Sequence, residues 1–357
     1  MKNPLVSVNI LTYNGEDLIE DCLKSVLSQT YPNIEILIID NASNDKTLEI
    51  IRKIRMNSDI RIAVNRKNLG FAAGHNLGIR ESRGEYVLCL NQDVVLDKDF
   101  IKYAVEAIEK DPASPASRQG GPAGGNKIGA VQGKLLKNQE IIDTTGLLMF
   151  KNRRVINRGQ GERDEGQYNK TEEIFGVDGA APLYRRTALE NIKLPIRIKF
   201  AYNSHQNSHA YEYFDEDFFC YKEDVDLAWR LQLYGWKSVY EPRAIAYHLR
   251  GAGERAVKNY ISVALARRKI SQFAKFYSFK NDRLMRIKNE LPSLFFRHFF
   301  SILIKEIGAW LYVLFLEHYT WNSIKALIKE APNAWRKRKI IMARKRTGAK
   351  EMRKWFN

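Results

Sequence analysis

Apolar and polar residues alternate in blocks along the first hundred positions. Val6 to Tyr13 (VSVNILTY) is rich in β-formers and is broken by Asn14-Gly15. Leu18, Ile19, Cys22, Leu23, Val26 and Leu27 then recur at helical spacing, and Tyr31-Pro32-Asn33 stops that helix. Ile34 to Ile39 is a near-continuous apolar run, as expected of a strand buried on both faces. Asn41 to Thr47 supplies turn and cap residues before a helix with Leu48, Ile51 and Ile54 on one face. Ile60 to Val64 predicts a third strand. Asn68-Leu69-Gly70 opens a short helix ending near Gly84, and Tyr86 to Leu90 predicts a fourth strand before Asn91-Gln92-Asp93. This βαβαβαβ rhythm predicts an α/β fold with a Rossmann-like, mostly parallel central sheet and helices on both faces. Ligands of such sheets sit at the carboxyl ends of the strands.

The pattern loosens afterwards. Residues 113–126 (ASPASRQGGPAGGN) read as a flexible surface loop, and strands resume at Ile128 to Gln132. Arg197 to Tyr211 is polar and predicts another loop. Glu223 to Tyr234 reads as a helix closed by Gly235, with a short strand over Lys237 to Tyr240. From about Asn259 the chain turns helical and strongly basic. The expected organisation is a domain over 1–251 followed by a basic amphipathic helical region over 252–357.

Composition narrows the class. The 357 residues are 45% hydrophobic and 28% charged, which excludes wholesale disorder. Lys and Arg outnumber Asp and Glu by 58 to 41, a formal net charge of +17 that favours an anionic partner. The stretch Trp335 to Asn357 alone carries ten Lys/Arg against one Glu. Three scattered cysteines make neither a disulfide framework nor a zinc cluster, and a reducing compartment is the expectation. The first residues, MKNPLVSVNILTYNG, lack the apolar core and small-residue site of a signal peptide. The nearest approach to a membrane span is Leu294 to Leu316, interrupted by Arg297, His298, Lys305 and Glu306.

Candidate chemistry collects at four strand ends: Thr12-Tyr13-Asn14, Asp40-Asn41-Ala42-Ser43, residues 65–76 (NRKNLGFAAGHN), and Asn91-Gln92-Asp93. Each alone is also an ordinary turn or cap, but four in register after buried strands point to a ligand. Neither G-x-G-x-x-G after the first strand nor a P-loop occurs, which weighs against a dinucleotide or P-loop site. Asp93 is either a helix cap or a ligand for Mg²⁺ or Mn²⁺. A second focus, Glu212 to Asp226, packs seven carboxylates into fifteen residues. Like charges so close need a compensating cation or a proton-transfer role. Glu223, Asp224 and Asp226 also suit a helix N-terminus. His248, on a predicted strand, is either structural or a metal ligand. The basic tail reads as a solvated face, a nucleic-acid patch or a membrane anchor. The apolar LFFRHFFSILIKEIGAWLYVLFL before it favours an acidic membrane surface, and no zinc-finger or RNP-like pattern supports nucleic acid.

Taken together, VSVNILTYNGEDLIEDCLKSVLSQTYPNIEILIIDNASNDKT, NLGFAAGHNLGI, GEYVLCLNQDV and FDEDFFCYKEDVDLAWRLQLYGW with YHLRG resemble a family 2 glycosyltransferase of the GT-A fold, over about residues 4–251. The LNQDV and EDVDL forms and the C-terminal helices resemble its rhamnosyltransferase-like branch. The resemblance implies a nucleotide-sugar half over about 1–110 and an acceptor half over about 127–251. Thr12, Tyr13 and Asn14 would line the nucleotide pocket, and Asp40, with Asn41 and Ser43 beside it, would contact a pyrimidine. Asn68, Gly70 and Asn76 would shape the wall near the diphosphate. Asn91-Gln92-Asp93 matches the DxD position, with the first carboxylate replaced by Asn91. Asp93 would hold the metal, completed by His248. Asp224 matches the catalytic base, paired with Glu223. Asp178, Gly179, Ala180, Asp226 and Trp229 fall on the acceptor side. The implied activity is inverting transfer of a sugar, dTDP-rhamnose first, onto a glycan or lipid-linked glycan precursor. It would take place at the inner face of the cytoplasmic membrane, with a homodimer possible. UDP-hexose, UDP-N-acetylhexosamine or GDP-mannose donors are the near alternatives. A non-catalytic nucleotide-sugar binder and a nucleic-acid-binding protein are the distant ones.

Overall fold

The computed structural model describes residues 3–56, 59–110, 127–196, 211–248, 267–268 and 270–357. The expected 113–126 loop, nearly all of the Arg197 to Tyr211 loop and the onset of the basic region near Asn259 lie outside them.

The strands are β1 (Val6–Thr12), β2 (Ile34–Asp40), β3 (Ile60–Val64), β4 (Tyr86–Asn91), β5 (Val94–Leu96), β6 (Ile128–Leu136), β7 (Ile142–Thr144), β8 (Leu147–Met149), β9 (Val155–Asn157), β10 (Glu172–Ile174), β11 (Leu183–Arg185), β12 (Leu194–Pro195), β13 (Tyr211–Glu212) and β14 (Lys237–His248). The helices are α1 (Ile19–Leu27), α2 (Thr47–Arg55), α3 (Gly70–Glu81), α4 (Phe100–Glu109), α5 (Arg186–Ile192), α6 (Glu223–Leu233), α7 (Gln272–Asn289), α8 (Pro292–Arg297), α9 (Phe299–Leu316), α10 (Trp321–Arg344) and α11 (Ala349–Met352).

The main sheet runs β10-β14-β6-β11-β4-β1-β2-β3, with β5 on β14 and β7 on β6. Strands β1 to β4 are mutually parallel and so is the β6–β14 pair, while β11 enters antiparallel between β4 and β6. The sheet is therefore mixed in its second half, where the chain leaves the βαβ rhythm. The apolar runs are apolar throughout because each strand is covered on both faces. Tyr86, Leu88 and Leu90 pack under α1 and α4, and their alternates Val87 and Cys89 pack under α3 and α6. The strand predicted over Lys237 to Tyr240 continues to His248, and that extension carries His248 to the ligand edge of the sheet. Helix α6 ends at Gly235 in the left-handed region (φ +83°), where the Trp236 amide donates to the Leu231 carbonyl.

The C-terminal helices share the core of the α3/α6 face. Leu284, Met285, Leu291, Ile341, Met352 and Phe356 pack in one apolar cluster with Trp229, Tyr234 and Val177. Part of the basic stretch Trp335 to Asn357 is drawn into this core. Lys337 is buried, and the Phe356 ring lies 4.3 Å from the Arg153 guanidinium. Helix α9 differs: only Ile302 and Val313 of its eighteen residues are buried. It is long and apolar enough to cross a membrane by length and composition.

Candidate active site

The carboxyl ends of β1, β2 and β4 are laced together by side chains. Gln92 Oε1 accepts from Thr12 Oγ1 (2.5 Å) and from the Tyr13 amide (2.9 Å), while Gln92 Nε2 donates to the Tyr13 carbonyl. Asn14, at φ +46°, donates its amide to Ser43 Oγ and accepts from the Asn44 amide. Asp40 is buried, and its oxygens accept from Ser43 Oγ (2.5 Å) and the Ser43 amide (3.0 Å). A carboxylate has about four acceptor positions, so Asp40 keeps capacity for a ligand donor. Asn41 is held between the Gly70 carbonyl and Asn65 Nδ2. Asn68 Oδ1 accepts from the Gly70 amide and starts α3. Gly70 sits at φ +82°, and a Cβ there would come within 2.5 Å of the Phe219 carbonyl oxygen.

That carbonyl belongs to a strained loop. Phe219, Tyr221 and Lys222 all have positive φ, which costs of order 1–3 kcal/mol at each such residue. Asn281 of α7 holds the loop down: its buried amide nitrogen lies within hydrogen-bond distance of the Phe218, Cys220 and Tyr221 carbonyls (2.9, 2.8 and 2.8 Å). The loop leads into α6, whose first residues are Glu223 and Asp224. Segment 178–180 bridges this helix to the β4 end. The Ala180 carbonyl accepts from the Asn91 amide, and a Cβ on Gly179 would lie 3.5 Å from Asp224 Cβ. Asp178 is fixed by its own amide on Gln132 and by Asn157 Nδ2 on its carboxylate. Burial, with the Asp178 charge next in effect, pushes the Asp224 carboxyl up to about 6. Burial and then Asp224 push Glu223 well above the usual range, and Glu223 Oε2 has no hydrogen-bond partner among the described residues.

Beyond the Asn91-Gln92-Asp93 turn stands His248. Its Nε2 is 3.3 Å from Asp93 Oδ2, and its Nδ1 is 2.9 Å from Oδ2 of the buried Asp143. Donation of Nδ1–H to Asp143 selects the tautomer with the lone pair on Nε2, aimed at Asp93. This is the geometry of a metal-binding imidazole backed by a carboxylate, and Asp93 with His248 fits a divalent ion. No cluster of three or more His, Cys, Asp or Glu suited to a metal occurs among the described residues. The protein would thus supply two ligands and leave the rest to diphosphate and water, as Mg²⁺ and Mn²⁺ sites at phosphates commonly do. The replaced first carboxylate, Asn91, meets the buried His75, whose imidazole is held neutral chiefly by burial and pushed down to about 3.

The strand ends and Asp93 fall within residues 7–193, which match the description "Glycosyl transferase family 2", while Asp224 and His248 lie beyond that span. The chain belongs to glycosyl transferase family 2. Curated relatives of this family 2 chain include the poly-beta-1,6-N-acetyl-D-glucosamine synthase of Staphylococcus epidermidis. It is 30% identical over 253 residues, covering 68% of this chain and 50% of the relative. The same-named synthase of Staphylococcus aureus strain MSSA476 is 28% identical over 246 residues, covering 66% and 48%. The chain therefore spans about half the length of the curated relatives it matches. Among solved structures, S. aureus TarS 1-349 superposes with a TM-score of 0.51 at 16% identity, covering 95% of this chain and 82% of that one. GalNAc-T7, solved with UDP, GalNAc and Mn²⁺, gives 0.52 at 14% identity, covering 83% and 54%. At such identities the likeness speaks to the fold, which is GT-A.

Three expected site residues of the family 2 chain are placed elsewhere. Asn76 does not line a diphosphate wall; it is buried in α3 and clamps the backbone of Tyr213 and Phe214 through both side-chain atoms. Asp226 and Trp229 do not face an acceptor. They lie on the inner side of α6, where Asp226 pairs with Arg230 and Lys288 and Trp229 packs on Phe356. The dense acidic focus resolves in the same way. Glu212, Asp215 and Asp217 surround Lys337, and Asp215 and Asp226 share Lys288, so four of the seven carboxylates are matched by lysines from α7 and α10. Glu216 accepts from Asn76 and lies 3.5 Å from Arg80, which leaves Glu223 and Asp224 at the start of α6. Asp143 and Asn281 were missed in the sequence, because no local pattern marks a side chain that acts across the fold.

Proposed function

We propose that the chain is an inverting glycosyltransferase that moves a sugar from a nucleoside diphosphate donor to an acceptor hydroxyl. The observation carrying this reading is the bridge formed by segment 178–180, which touches Asn91, two residues before Asp93, at one end and packs beside Asp224 at the other. The strand ends around Asp40 and Thr12 would seat the nucleoside. A divalent ion at Asp93 and His248, Mg²⁺ or Mn²⁺, would supply charge neutralisation to the departing diphosphate. Asp224 would take the proton of the attacking hydroxyl, a role its raised pKa suits, and attack from the far face would invert the anomeric centre.

For the donor we favour UDP-N-acetylglucosamine over dTDP-rhamnose, because the matched relatives are named as poly-N-acetylglucosamine synthases. A screen of UDP-, dTDP- and GDP-sugars with Mn²⁺ or Mg²⁺, reading nucleoside diphosphate release, tests this. Release from dTDP-rhamnose alone would overturn the donor choice. Release abolished in Asp224→Asn with donor binding retained supports the base assignment, and full activity in that variant removes it.

We also place the outer stripe of α9 (Phe300, Ile304, Ile307, Leu311 and Phe315) against an acidic membrane surface, because these residues are exposed along one helical face near the exposed cation Arg297. Replacing three of them by Ser should cut sedimentation with acidic vesicles. Unchanged sedimentation would refute that placement.

A further inference from the structure

At the foot of α9 an open pocket of about 640 Å³ lies between α8, the turn that joins β8 to β9, and the turn 353–355 after α11. Each of these elements brings one exposed cation to it: Arg297, Lys151 and Arg353. None of the three makes an ion pair among the described residues, and no acidic side chain lines the pocket. Asn357 is bound through its main chain to the Met149 carbonyl and the Lys151 amide rather than to these cations. The wall also holds His298, which is only 7% exposed. Behind it the fully buried Arg153 is clamped by Glu290 at Nε (2.6 Å) and Nη2 (2.8 Å), and Arg153 Nη1 lies 3.0 Å from His298 Nδ1. A guanidinium only donates, so Nδ1 accepts and the proton of the neutral ring stands on Nε2. Burial, with the charge of Arg153 next, holds the ring neutral by pushing it down to about 4. The Nε2–H finds no hydrogen-bond partner among the described residues and is not sealed from solvent, which leaves it the pocket.

Three like charges with no acid among them repel, and an anion relieves that repulsion. Glu290 and Arg153 fix the imidazole donor before any ligand arrives, so little order has to be gained on binding. A phosphate group, with several acceptor oxygens, matches this set of donors. The apolar surroundings narrow the ligand further. Phe300 lines the pocket and also begins the exposed outer stripe of α9, and the nearby Phe296 is exposed as well. We propose that the pocket binds the phosphate head of an anionic bilayer lipid, whose chains pass Phe300 into the stripe, as an anchor and not as a reactant. No lining residue belongs to the strand ends or to the loop before α6, so the site stands apart from the transfer chemistry. The inference rests on the placement of α9 at a membrane for the source of the lipid. Diffuse attraction of about 1 kcal/mol per basic residue acts on any exposed cation near an acidic bilayer. The pocket adds a fixed donor between three cations, and so selects a headgroup and sets how the chain sits on the surface.

Titration calorimetry of the full chain with dihexanoyl phosphatidic acid, below its micelle concentration and without added metal, tests the pocket. Saturable binding is expected. Dihexanoyl phosphatidylcholine, whose quaternary ammonium opposes the three cations, and inorganic phosphate, which has no chains, should each bind about tenfold more weakly or worse, the scale of one hydrogen bond to a charged group or several buried methylenes. Arg297 and Arg353 are exposed, so Arg297→Gln/Arg353→Gln should fold normally and weaken phosphatidic acid about tenfold or more. Lys53→Gln/Lys102→Gln removes the same charge from exposed positions on α2 and α4 and should leave binding unchanged. The His298 Nε2–H signal in a side-chain ¹⁵N–¹H spectrum, assigned by its loss in His298→Phe, should shift on saturation. No saturable binding, a loss in the pocket variant no greater than in the control, or an unmoved His298 signal would overturn the site. Phosphatidylcholine or inorganic phosphate binding as tightly as phosphatidic acid would overturn the lipid head as its occupant. The titration contains no bilayer, so its failure strikes the pocket alone. Sedimentation judges the α9 stripe, and nucleoside diphosphate release judges the transferase reading.

Discussion

Removing the charge of Asp178 should move the acid limb of the pH–rate profile. Asp224 must be ionised to accept a proton, so turnover is present above its pKa and is lost as pH falls through about 6. The rise from the ordinary 3.8 to about 6 corresponds to roughly 3 kcal/mol against ionisation. Burial is the larger cause and Asp178 the next. Removing the Asp178 carboxylate withdraws the second of these causes, so the Asp224 pKa should fall towards its ordinary value by part of that rise. Asp178→Asn keeps an acceptor oxygen for the Ala180 amide, which donates to Asp178 Oδ1 at 2.9 Å, so the 178–180 segment should hold its place. The variant's kcat/KM should therefore persist to lower pH, with its midpoint displaced downwards by about half to one unit. The measurement is kcat/KM against pH with the donor found in the screen. An acid limb at the wild-type position, with rates reduced equally at every pH, would show that Asp178 does not act on Asp224 through its charge.

Three further outcomes follow from the same geometry. Asp143→Asn should weaken Mn²⁺ binding by about 10- to 100-fold, because His248 loses the carboxylate that sets its tautomer; titration calorimetry with metal and nucleoside diphosphate reads this, and unchanged affinity would refute it. Lys337→Met should destabilise the fold by about 3–5 kcal/mol in denaturant melts, since it strips the cation from Glu212 and Asp217 and leaves Asp215 with Lys288 alone, and a loss below about 1 kcal/mol would contradict the buried network. Gly70→Ala should displace the Phe219 loop and depress turnover far more than a surface Gly→Ala change, as its Cβ would collide with a backbone oxygen; wild-type kinetics would show that α3 can move away from the loop.

The first half of the fold was legible because each of its signals is local. Ile34 to Ile39 reads as a doubly covered strand from its own composition, and the polar turns after β1, β2 and β4 fall at the sheet's ligand edge by topology alone. Asp224 was readable for the same reason, as an acid opening a helix. Asp226, two residues on, was not. Its side chain turns inwards by the helical period, and only the lysine waiting there decides its role. The basic C-terminus misled in the converse way. Lys288 and Lys337 count towards a surplus of +17, yet they are buried against acids more than sixty positions earlier. Net charge is a sum over the chain and carries no record of which charges meet. Asp143 lies within a short apolar stretch, and nothing near it in sequence refers to His248.

The lysines that reach back from α7 and α10 bear on how such enzymes can be recombined. A chimera that joined residues up to β14 with the helices of a relative would leave the buried Glu212 and Asp215 without the lysines that match them, and Asp226 with Arg230 alone. The stretch from Glu212 to Asp226 and the helices bearing Lys288 and Lys337 are therefore one exchangeable cassette. Swaps that carry both parts should give soluble hybrids, and swaps that divide them should give inclusion bodies.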